Sequence, residues 1–232
     1  DNCGGTVAVT YADATVAGIG NNSVITRVWT ADDNNGNSTT YSQTITVEDS
    51  VAPAFTTSPE NITVECDAST LPADTNGPAV ATDNCDSNVT ITSADTTVAG
   101  TGNNSVITRV WTATDENSNA TTYTQTITVV DTTKPAFTTS PADITVECDA
   151  STLPAGTNGP AVATDNCDSN VTITSADTTV AGTGNNSVIT RVWTATDDNS
   201  NFSTYTQTIT VVDTTAPTFT NSPASLTVEC SA

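Results

Sequence analysis

A regular repeat of 82 residues organises the chain and restricts what it can fold into. Trp29, Trp111 and Trp193 share this spacing, and residues 75–115 recur without change as residues 157–197. The units of solenoid proteins span about 20–50 residues, so a period of 82 residues is long enough to be a complete small domain. The sequence therefore predicts an array of similar modules rather than one large core.

The module boundaries are expected at short joints that end a strand-like segment and place a proline before the next one. These joints read EDSVAP, VDTTKP and VDTTAP. Proline-bearing joints of this length allow little bending, which favours an elongated rod. The predicted parts are a partial module at 1–49, complete modules at 50–131 and 132–213, and the N-terminal strands of a further module at 214–232.

Within a module the dominant pattern is alternation of β-branched residues with a period of two, interrupted by Gly, Pro, Asn or Asp. No segment shows the periodicity of an amphipathic helix. Several short strands in about 80 residues are typical of an antiparallel β-sandwich, so the fold class is all-β. In the second module the predicted strands lie at 61–66, 88–93, 105–114 and 121–130.

One face of the strand at 105–114 is expected to form the core. Trp111 lies on the same face as Ile107, and we expect it to pack with Tyr123 and Val129 of the next strand. Arg109 also falls on this face, where it can stack over the Trp ring or extend to the rim. Since the arginine recurs in every repeat, a packing role is favoured over a role in ligand binding.

The charge balance limits the partners. The 26 acidic residues and 4 basic residues give a formal net charge of -22. Such a surface repels phosphate backbones and anionic lipids, so nucleic acid is not expected as a partner. No apolar run approaches the length of a membrane span. The acidic residues favour two explanations, cation binding or solubility of a crowded surface polymer.

Catalysis is not expected. The chain has no His and no Met, and its only Lys is Lys134. A Ser-His-Asp or Cys-His site is therefore impossible, and no phosphate-binding loop or nucleophile elbow occurs. The sequence predicts a protein that is not an enzyme.

The six cysteines favour disulfides, which a module with few aromatic residues would need. The first arrangement pairs Cys66 with Cys85 and Cys148 with Cys167, each closing a loop of about 20 residues for roughly 3 kcal/mol. The alternative pairs Cys66 with Cys167 and links neighbouring modules. The first arrangement is preferred, and both remain open.

Three segments carry a family resemblance: ATDNCDSN (81–88), VWTATDENSN (110–119) and QTITVVDTTKPAF (125–137). The sequence resembles hyalin-repeat and bacterial immunoglobulin-like modules of giant secreted surface adhesins, most of all the gliding-motility adhesins of Bacteroidetes. The resemblance implies immunoglobulin-like sandwiches at the cell surface. It also implies a stalk, with any surface or glycan ligand bound by regions outside this segment.

A calcium site is expected where three loops meet at the entry end of a module. Each last hairpin carries Asp-x-Asn-x-Asn, and oxygen donors at alternate positions of a tight turn can converge on a hard cation. The alternative is turn chemistry alone, because Asp and Asn cap their own backbone. The predicted ligands are Asp49, Asp83, Asp86, Asp115, Asn117 and Asn119, and, one repeat later, Asp131, Asp165, Asp168, Asp197, Asn199 and Asn201.

Four Asp-Thr-Thr triplets are similar to the O-glycosylation signal of secreted Bacteroidetes proteins, although turn chemistry also explains them. The threonines that this resemblance implies as carriers are Thr96, Thr132, Thr178 and Thr214.

The function expected from the sequence is a structural stalk or filament segment whose partners are neighbouring modules or other copies. Two alternatives remain: an array of carbohydrate-binding modules, which would need Trp111 and Tyr123 exposed, and a filament assembled by strand exchange between copies.

Overall fold

The computed structural model describes residues 3–230 and is nearly all β, with 50% strand and 3% helix. The chain divides into two compact units, one ending at Asp131 and one beginning at Thr132. The strands are β1 Ala8–Ala17, β2 Ser23–Asp32, β3 Ser38–Val47, β4 Ala54–Thr57, β5 Ile62–Glu65, β6 Val80–Thr82, β7 Thr90–Ala99, β8 Ser105–Thr114, β9 Ala120–Val130, β10 Ala136–Thr139, β11 Ile144–Glu147, β12 Val162–Thr164, β13 Thr172–Ala181, β14 Ser187–Thr196 and β15 Phe202–Val212.

Each complete repeat contains a four-stranded and a two-stranded sheet. In the first unit the order is β5-β9-β8-β7 with β4-β6 as the smaller sheet, and the second unit repeats it as β11-β15-β14-β13 with β10-β12. A short 3-10 helix follows β5 at Pro72–Asp74, and another follows β11 at Pro154–Gly156. Two tandem sandwich-like domains result, as the strand pattern predicted.

One pairing in each repeat is parallel rather than antiparallel. β5 runs parallel to β9, with Ile62 beside Ile127 and Glu65 beside Val130. The chain passes from the small sheet to the large one and adds β5 at the edge next to its last strand. The expectation of an entirely antiparallel sandwich is therefore wrong for this edge. The parallel pairing also fixes the end of the module at which Cys66 lies.

The core follows from the period-two pattern of β8 and β9. Ile107, Ile127 and Val129 are buried, and Ile62 and Val64 of β5 pack against them. Each of these side chains contributes about 1.5–3 kcal/mol by leaving water. Ile189, Ile209 and Val211 form the matching cluster of the second unit.

The predicted core tryptophan is buried. Trp111 is 3% exposed. It lies opposite Tyr123 in the β8–β9 register. Trp193 of the second unit has the same exposure. Neither ring is available to line a binding groove. Carbohydrate binding by the complete repeats would need exposed rings, so this result does not support it.

An ion pair between a buried arginine and an exposed aspartate accompanies the tryptophan. Arg109 is 2% exposed, and its guanidinium donates to both carboxylate oxygens of Asp95, each at 2.8 Å. It also donates to Thr75 Oγ1 at 2.8 Å and to the Thr70 carbonyl at 2.6 Å. Its Cζ lies 5.8 Å from the centroid of the Trp111 ring. The arginine therefore has the packing role that its position predicted.

Residues 8–47 form a third set of strands, the three-stranded sheet β1-β2-β3. Its pairing matches that of β7-β8-β9, with Trp29 opposite Tyr41. Arg27 again contacts an aspartate, Asp13, but the side chain of Arg27 is 26% exposed. This sheet corresponds to β7, β8 and β9. Among residues 3–230 it has no counterpart of β5, the strand that pairs with β9.

No helix among residues 3–230 is long and apolar enough to cross a membrane.

Candidate metal centre

Three carboxylates meet at one end of the first complete repeat. Asp49 lies in the linker after β3, Asp83 follows β6, and Asp115 begins the β8–β9 turn. Each offers an oxygen, and these oxygens lie within 4.8 Å of one another. The structure thus brings together one predicted ligand from each of the three predicted loops.

Asp83 has one oxygen that the protein leaves without a partner. Its Oδ1 accepts from the backbone N–H of Cys85 at 2.8 Å and of Asp86 at 3.0 Å, which fixes the loop. Its Oδ2 is buried and has no hydrogen-bond partner. A buried carboxylate oxygen without a donor is costly, and the cost rises beside two further carboxylates. A cation would remove both penalties, so the group fits a metal site.

Asp115 closes its own turn. Its Oδ1 accepts from the backbone N–H of Asn119 and its Oδ2 from the side-chain amide of Asn119, both at 2.8 Å. Asp33 makes the same two contacts with Asn37 in the first hairpin. The Asp-x-Asn-x-Asn pattern by itself therefore indicates turn chemistry. The additional carboxylates of Asp49 and Asp83 distinguish the second hairpin.

Asn117 and Asn119 orient the linker. The Asn117 amide donates to the Gly20 carbonyl at 3.1 Å and to Asp49 Oδ2 at 3.3 Å. The Asn119 amide donates to the Asp49 carbonyl at 3.2 Å. Both side chains present nitrogen toward Asp49 and act here as positioning residues, and their role as ligands stays a prediction.

Asp86 has a structural role. Its Oδ1 accepts from the Asn88 N–H at 2.8 Å and its Oδ2 from the Glu116 N–H at 2.7 Å. These bonds tie the loop after β6 to the β8–β9 turn, and Asp86 is not part of the carboxylate group. Its role as a ligand stays a prediction, since each oxygen keeps a lone pair beside its backbone donor.

A residue that the sequence analysis missed holds the linker in place. Asn22 Oδ1 accepts from the Asp49 N–H at 2.6 Å, and the Asn22 amide donates to Asn117 Oδ1 at 3.0 Å. Asn104 and Asn186 accept from the linker aspartates Asp131 and Asp213 in the same way, each at 2.8 Å. The signal was present in the sequence, since Gly-Asn-Asn recurs at 20–22, 102–104 and 184–186.

The carboxylates also act on a neighbouring thiol. Partial burial, followed by the negative charges of Asp49 and Asp83, raises the pKa of Cys85 above its ordinary value of 9.0. The Cys85 carbonyl accepts a hydrogen bond from the Asn21 amide. Cys85 is thus a reporter of the charge in this group.

The predicted ligands of the second set make local hydrogen bonds like those of the first set. Asp165 Oδ2 is buried without a hydrogen-bond partner, as in Asp83. Asp168 accepts from the N–H groups of Asn170 and Asp198, each at 2.8 Å, so it ties its loop to the next turn as Asp86 does, and its role as a ligand stays a prediction. Asp197 accepts from the N–H groups of Asn199 at 2.9 Å and Asn201 at 2.7 Å. The Asn201 amide donates to Asp197 Oδ2 at 2.9 Å, and Asp131 is 5% exposed.

The sequence matches the family described as an HYR-like domain with 4 cysteines, at residues 54–129 and 137–211. The chain belongs to this HYR-like family. The two matches lie within the modules predicted at 50–131 and 132–213. No curated protein matches the chain.

Solved structures with a similar course of the chain include cadherin fragments. The mouse clustered protocadherin PcdhgC3 EC1-3 is 16% identical, with 83% of this chain and 77% of that chain covered and a TM-score of 0.31. Drosophila N-cadherin EC1-4 is 14% identical, with 89% and 67% covered and a TM-score of 0.33. Human CDH23 EC21-23 is 15% identical, with 80% and 73% covered and a TM-score of 0.32.

The cysteines of the HYR-like repeats are not paired within a repeat. Cys66 and Cys167 are disulfide-bonded, whereas Cys85 and Cys148 are thiols. The preferred pairing of Cys66 with Cys85 and of Cys148 with Cys167 is therefore wrong.

The reason lies in the first unit. Cys66 follows Glu65, which lies beside Val130 at the end of β9. Cys85 lies in the loop of Asp83, beyond the start of β9. The length of β9 separates them by about 30 Å, whereas bridged Cα atoms lie within about 7 Å.

The four threonines proposed as glycan carriers are exposed. Thr96 lies on β7 opposite Thr108, and Thr214 donates a hydrogen bond to Glu147. Exposure is required for modification but does not demonstrate it, so glycosylation stays a prediction for Thr96, Thr132, Thr178 and Thr214.

Proposed function

We propose that this chain is a segment of an extracellular stalk in which calcium fixes the linker between HYR-like repeats. The ligands of the first site are Asp49, Asp83 and Asp115. One repeat later in sequence, the corresponding residues are Asp131, Asp165 and Asp197. The observation that carries the proposal is the buried, unpartnered Oδ2 of Asp83 beside two other carboxylates.

Calcium suits this group because hard carboxylate and carbonyl oxygens are its preferred ligands. It would supply the positive charge that residues 3–230 do not place near Asp83, since the only ion pairs among them involve Arg27, Arg109 and Arg191. An affinity of about 10⁻⁴–10⁻³ M suffices for an extracellular module.

The mechanical consequence follows from the origin of the ligands. Asp49 belongs to the linker, whereas Asp83 and Asp115 belong to the repeat that follows it. A shared cation would restrict the linker against that repeat. The contacts of Asn117 and Asn119 with Asp49 already hold the linker in position for this, so the protein orients the site and the cation strengthens it.

A covalent link between repeats completes the proposed stalk. The alternative arrangement of the sequence analysis pairs Cys66 with Cys167, and these are the two oxidised cysteines. Such a bridge suits an oxidising extracellular setting. A formal net charge of -22 would keep a long array soluble. An adhesin of the gliding-motility type and a rod of modules bounded at 49/50, 131/132 and 213/214 are part of this proposal.

Calorimetric titration of the whole chain with calcium, together with its melting temperature, tests the proposal. We expect two sites of millimolar or better affinity and a rise in melting temperature in millimolar calcium. Asp83→Asn should remove one site and Asp83→Asn with Asp165→Asn should remove both. Because the Asn amide keeps an oxygen for the Cys85 and Asp86 donors, these variants should be at least as stable as the wild type without calcium.

Glu60→Gln provides the matched control. It removes one negative charge from an exposed position that the next repeat fills with Ala142. We expect its calcium response to equal that of the wild type. No heat of binding and no change in melting temperature up to 10 mM calcium, at about ten times the expected dissociation constant, would overturn the proposal.

A further inference from the structure

β7 and β13 are long edge strands that carry none of the features by which proteins protect a sheet edge. Each has ten residues and a continuous register with its neighbouring strand, without a bulge. Among residues 3–230 no strand pairs with the outer edge of either one. Both strands read TITSADTTVA, so neither contains a lysine or a proline. An edge of this kind is a template for a strand of another chain.

The other sheet edges of a complete repeat are short or irregular. β5, at the opposite edge of the large sheet, has four residues. In the small sheet β4 has four residues and β6 has three, and their register shifts between Phe55 and Thr57. Short and bulged edges resist pairing with another chain. The open edge of β7 is therefore a specific feature of the repeat, and β13 shares it.

β7 also carries no net charge in a strongly acidic chain. Asp95 is its only ionisable residue, and the Arg109 guanidinium pairs with it at 2.8 Å. The formal net charge of the whole chain is -22, so most surfaces of two copies repel each other. A basic partner would be drawn to the acidic loops instead. A neutral edge is where two copies can approach closely, which favours a second copy of this chain as the occupant.

The backbone directions of β7 define how a further strand can pair with it. The Gly100 N–H donates to the Asn104 carbonyl at 2.7 Å, and these two residues continue the β7–β8 register. Hydrogen-bonded and non-bonded pairs alternate along antiparallel strands. The even-numbered residues of β7 therefore bond β8, whereas the odd-numbered residues direct their N–H and C=O groups outward.

We propose that β7 of one copy pairs antiparallel with β7 of a second copy, centred on Ala94. In this register Ala94 faces Ala94, Thr92 faces Thr96, and Ser93 lies beside Asp95. The four-stranded sheets of the two copies become one continuous sheet related by a twofold axis. β13 has the same sequence and offers the same pairing. If the array is the proposed stalk, this contact joins stalks side by side.

The register suits the side chains on both faces of the sheet. On the outer face Thr92 and Thr96 form cross-strand pairs, which stabilise antiparallel strands. On the inner face Ser93 Oγ can donate to Asp95 of the second copy, because each carboxylate oxygen keeps a lone pair beside its bond from Arg109. Centring the pair on Asp95 would place two carboxylates opposite each other, which is unfavourable. A centre further from the middle of the strand would pair fewer residues.

Sedimentation velocity of the whole chain in EDTA, between about 1 and 500 μM, tests the pairing. We expect reversible association that strengthens as salt rises from about 20 to about 500 mM, because salt screens the repulsion between acidic copies. Monomers at every concentration, or association that weakens with salt, would overturn the proposal. EDTA keeps calcium from the candidate metal centre, so failure here leaves the proposed calcium site untouched.

Ala94→Lys with Ala176→Lys should weaken this association at least about tenfold, because two ammonium groups would face each other across the twofold axis. Both alanines are exposed, so the melting temperature of the variant should match that of the wild type.

Thr124→Lys with Thr206→Lys is the matched control. It adds the same charge on the same face of the sheet, because Thr124 lies in line with Ala94 across Val110. Both threonines are exposed and lie on β9 and β15, away from the open edges. We expect the control to associate at least as strongly as the wild type. Equal association of the two double variants would show that the edge is not the contact.

Engineered cysteines test the register. The parent is a chain in which the other cysteines are replaced by Ser, namely Cys3, Cys85, Cys148 and Cys230. In it Ala94→Cys should cross-link to a second copy of itself in oxidised glutathione, since the facing Cα atoms would lie about 4.5 Å apart. The two thiols lose two electrons and two protons as the disulfide forms, and the glutathione disulfide is reduced to two thiols.

The same parent provides the control for the cross-link. Thr92→Cys should not cross-link to itself, because its counterpart across the axis is Thr96. A mixture of Thr92→Cys and Thr96→Cys chains should form the mixed dimer. Efficient self-cross-linking of Thr92→Cys, or none of Ala94→Cys, would overturn this register.

Discussion

Arg109 and Asp95 face each other across β8 and β7, and the guanidinium donates to both carboxylate oxygens at 2.8 Å. The arginine side chain is 2% exposed, whereas the aspartate side chain is 39% exposed. The pair therefore ties a buried positive charge to a partly solvated carboxylate on the edge strand β7. Thr75 Oγ1 and the Thr70 carbonyl each accept one further N–H, so four of the five guanidinium donors have partners and the charge is buried without being isolated.

Arg109→Lys should destabilise the first unit by about 2 kcal/mol, because an ammonium cannot reproduce the planar contacts with Asp95, Thr75 and Thr70. Urea unfolding followed by the fluorescence of Trp111, with Trp29 and Trp193 replaced by Phe, measures this. Arg27→Lys is the comparison, because Arg27 pairs with Asp13 in the sheet that lacks a cover. Equal losses from both substitutions would contradict a role that depends on burial.

The same pair should make the protein sensitive to acid. The hydrogen bonds from Arg109 lower the pKa of Asp95 below its ordinary value of 3.8. Because the folded-state pKa is depressed, the stabilisation is complete above the ordinary value and is lost as the pH falls through the lowered one. Asp95→Asn should have a lower urea midpoint than the wild type at pH 7. The gap between the two midpoints should be constant above about pH 5 and narrow as the pH falls below about 4, the pKa of an unfolded Asp. A gap of the same size at about pH 5 and about pH 3 would contradict this origin.

The sequence was sufficient to locate the long strands that have one apolar face and one polar face. The predicted strand 105–114 is β8, and 121–130 differs from β9 by one residue. The short strands β4 and β6 have three or four residues and no alternation long enough to recognise. Nothing local in the sequence shows that β5 pairs in parallel, and this pairing decides which end of the module carries Cys66. The cysteine error follows from that single unknown.

The sequence predicted which loops form the candidate metal centre. It did not predict the contacts of each side chain in those loops. Asp49, Asp83 and Asp115 converge as expected because the loops converge. Asp86 carries the same oxygen donors but is not part of the carboxylate group, and the Asn117 amide donates to Asp49. Which oxygen a backbone N–H occupies, and whether an amide presents nitrogen or oxygen, depends on contacts that only the folded chain defines.

Reduction should weaken the protein through one specific bond. If Cys66 pairs with Cys167, the bridge closes a loop of about 100 residues and contributes up to about 4–5 kcal/mol. Cys66→Ser and Cys167→Ser should each lower the melting temperature, and the double variant should equal either single one. Cys148→Ser should have no effect on the isolated chain. Peptide mapping without reductant identifies the bond, and a Cys66–Cys85 peptide would contradict this pairing.

Calcium should increase the reactivity of Cys85. The negative charges of Asp49 and Asp83 contribute to the raised pKa of its thiol. A cation between these carboxylates would lower that pKa, and alkylation follows the thiolate fraction. In a chain with Cys3, Cys148 and Cys230 replaced by Ser, iodoacetamide should react several-fold faster at pH 8 in millimolar calcium. Asp83→Asn should abolish this dependence, and an unchanged rate in the parent chain would place the cation elsewhere.

Gly20 offers a test of how the incoming turn supports the linker. It has φ +55, and a Cβ placed on it would lie 2.7 Å from Nδ2 of Asn117. Gly184, its counterpart, has φ +66, and its Cβ would meet nothing within 4 Å. Gly184→Ala therefore measures the left-handed strain alone, about 1 kcal/mol.

Gly20→Ala adds displacement of the Asn117 amide, which donates to the Gly20 carbonyl and to Asp49. We expect Gly20→Ala to cost more stability than Gly184→Ala and also to weaken calcium binding at Asp49. If the two variants are equally stable and bind calcium equally, Asn117 does not position the linker.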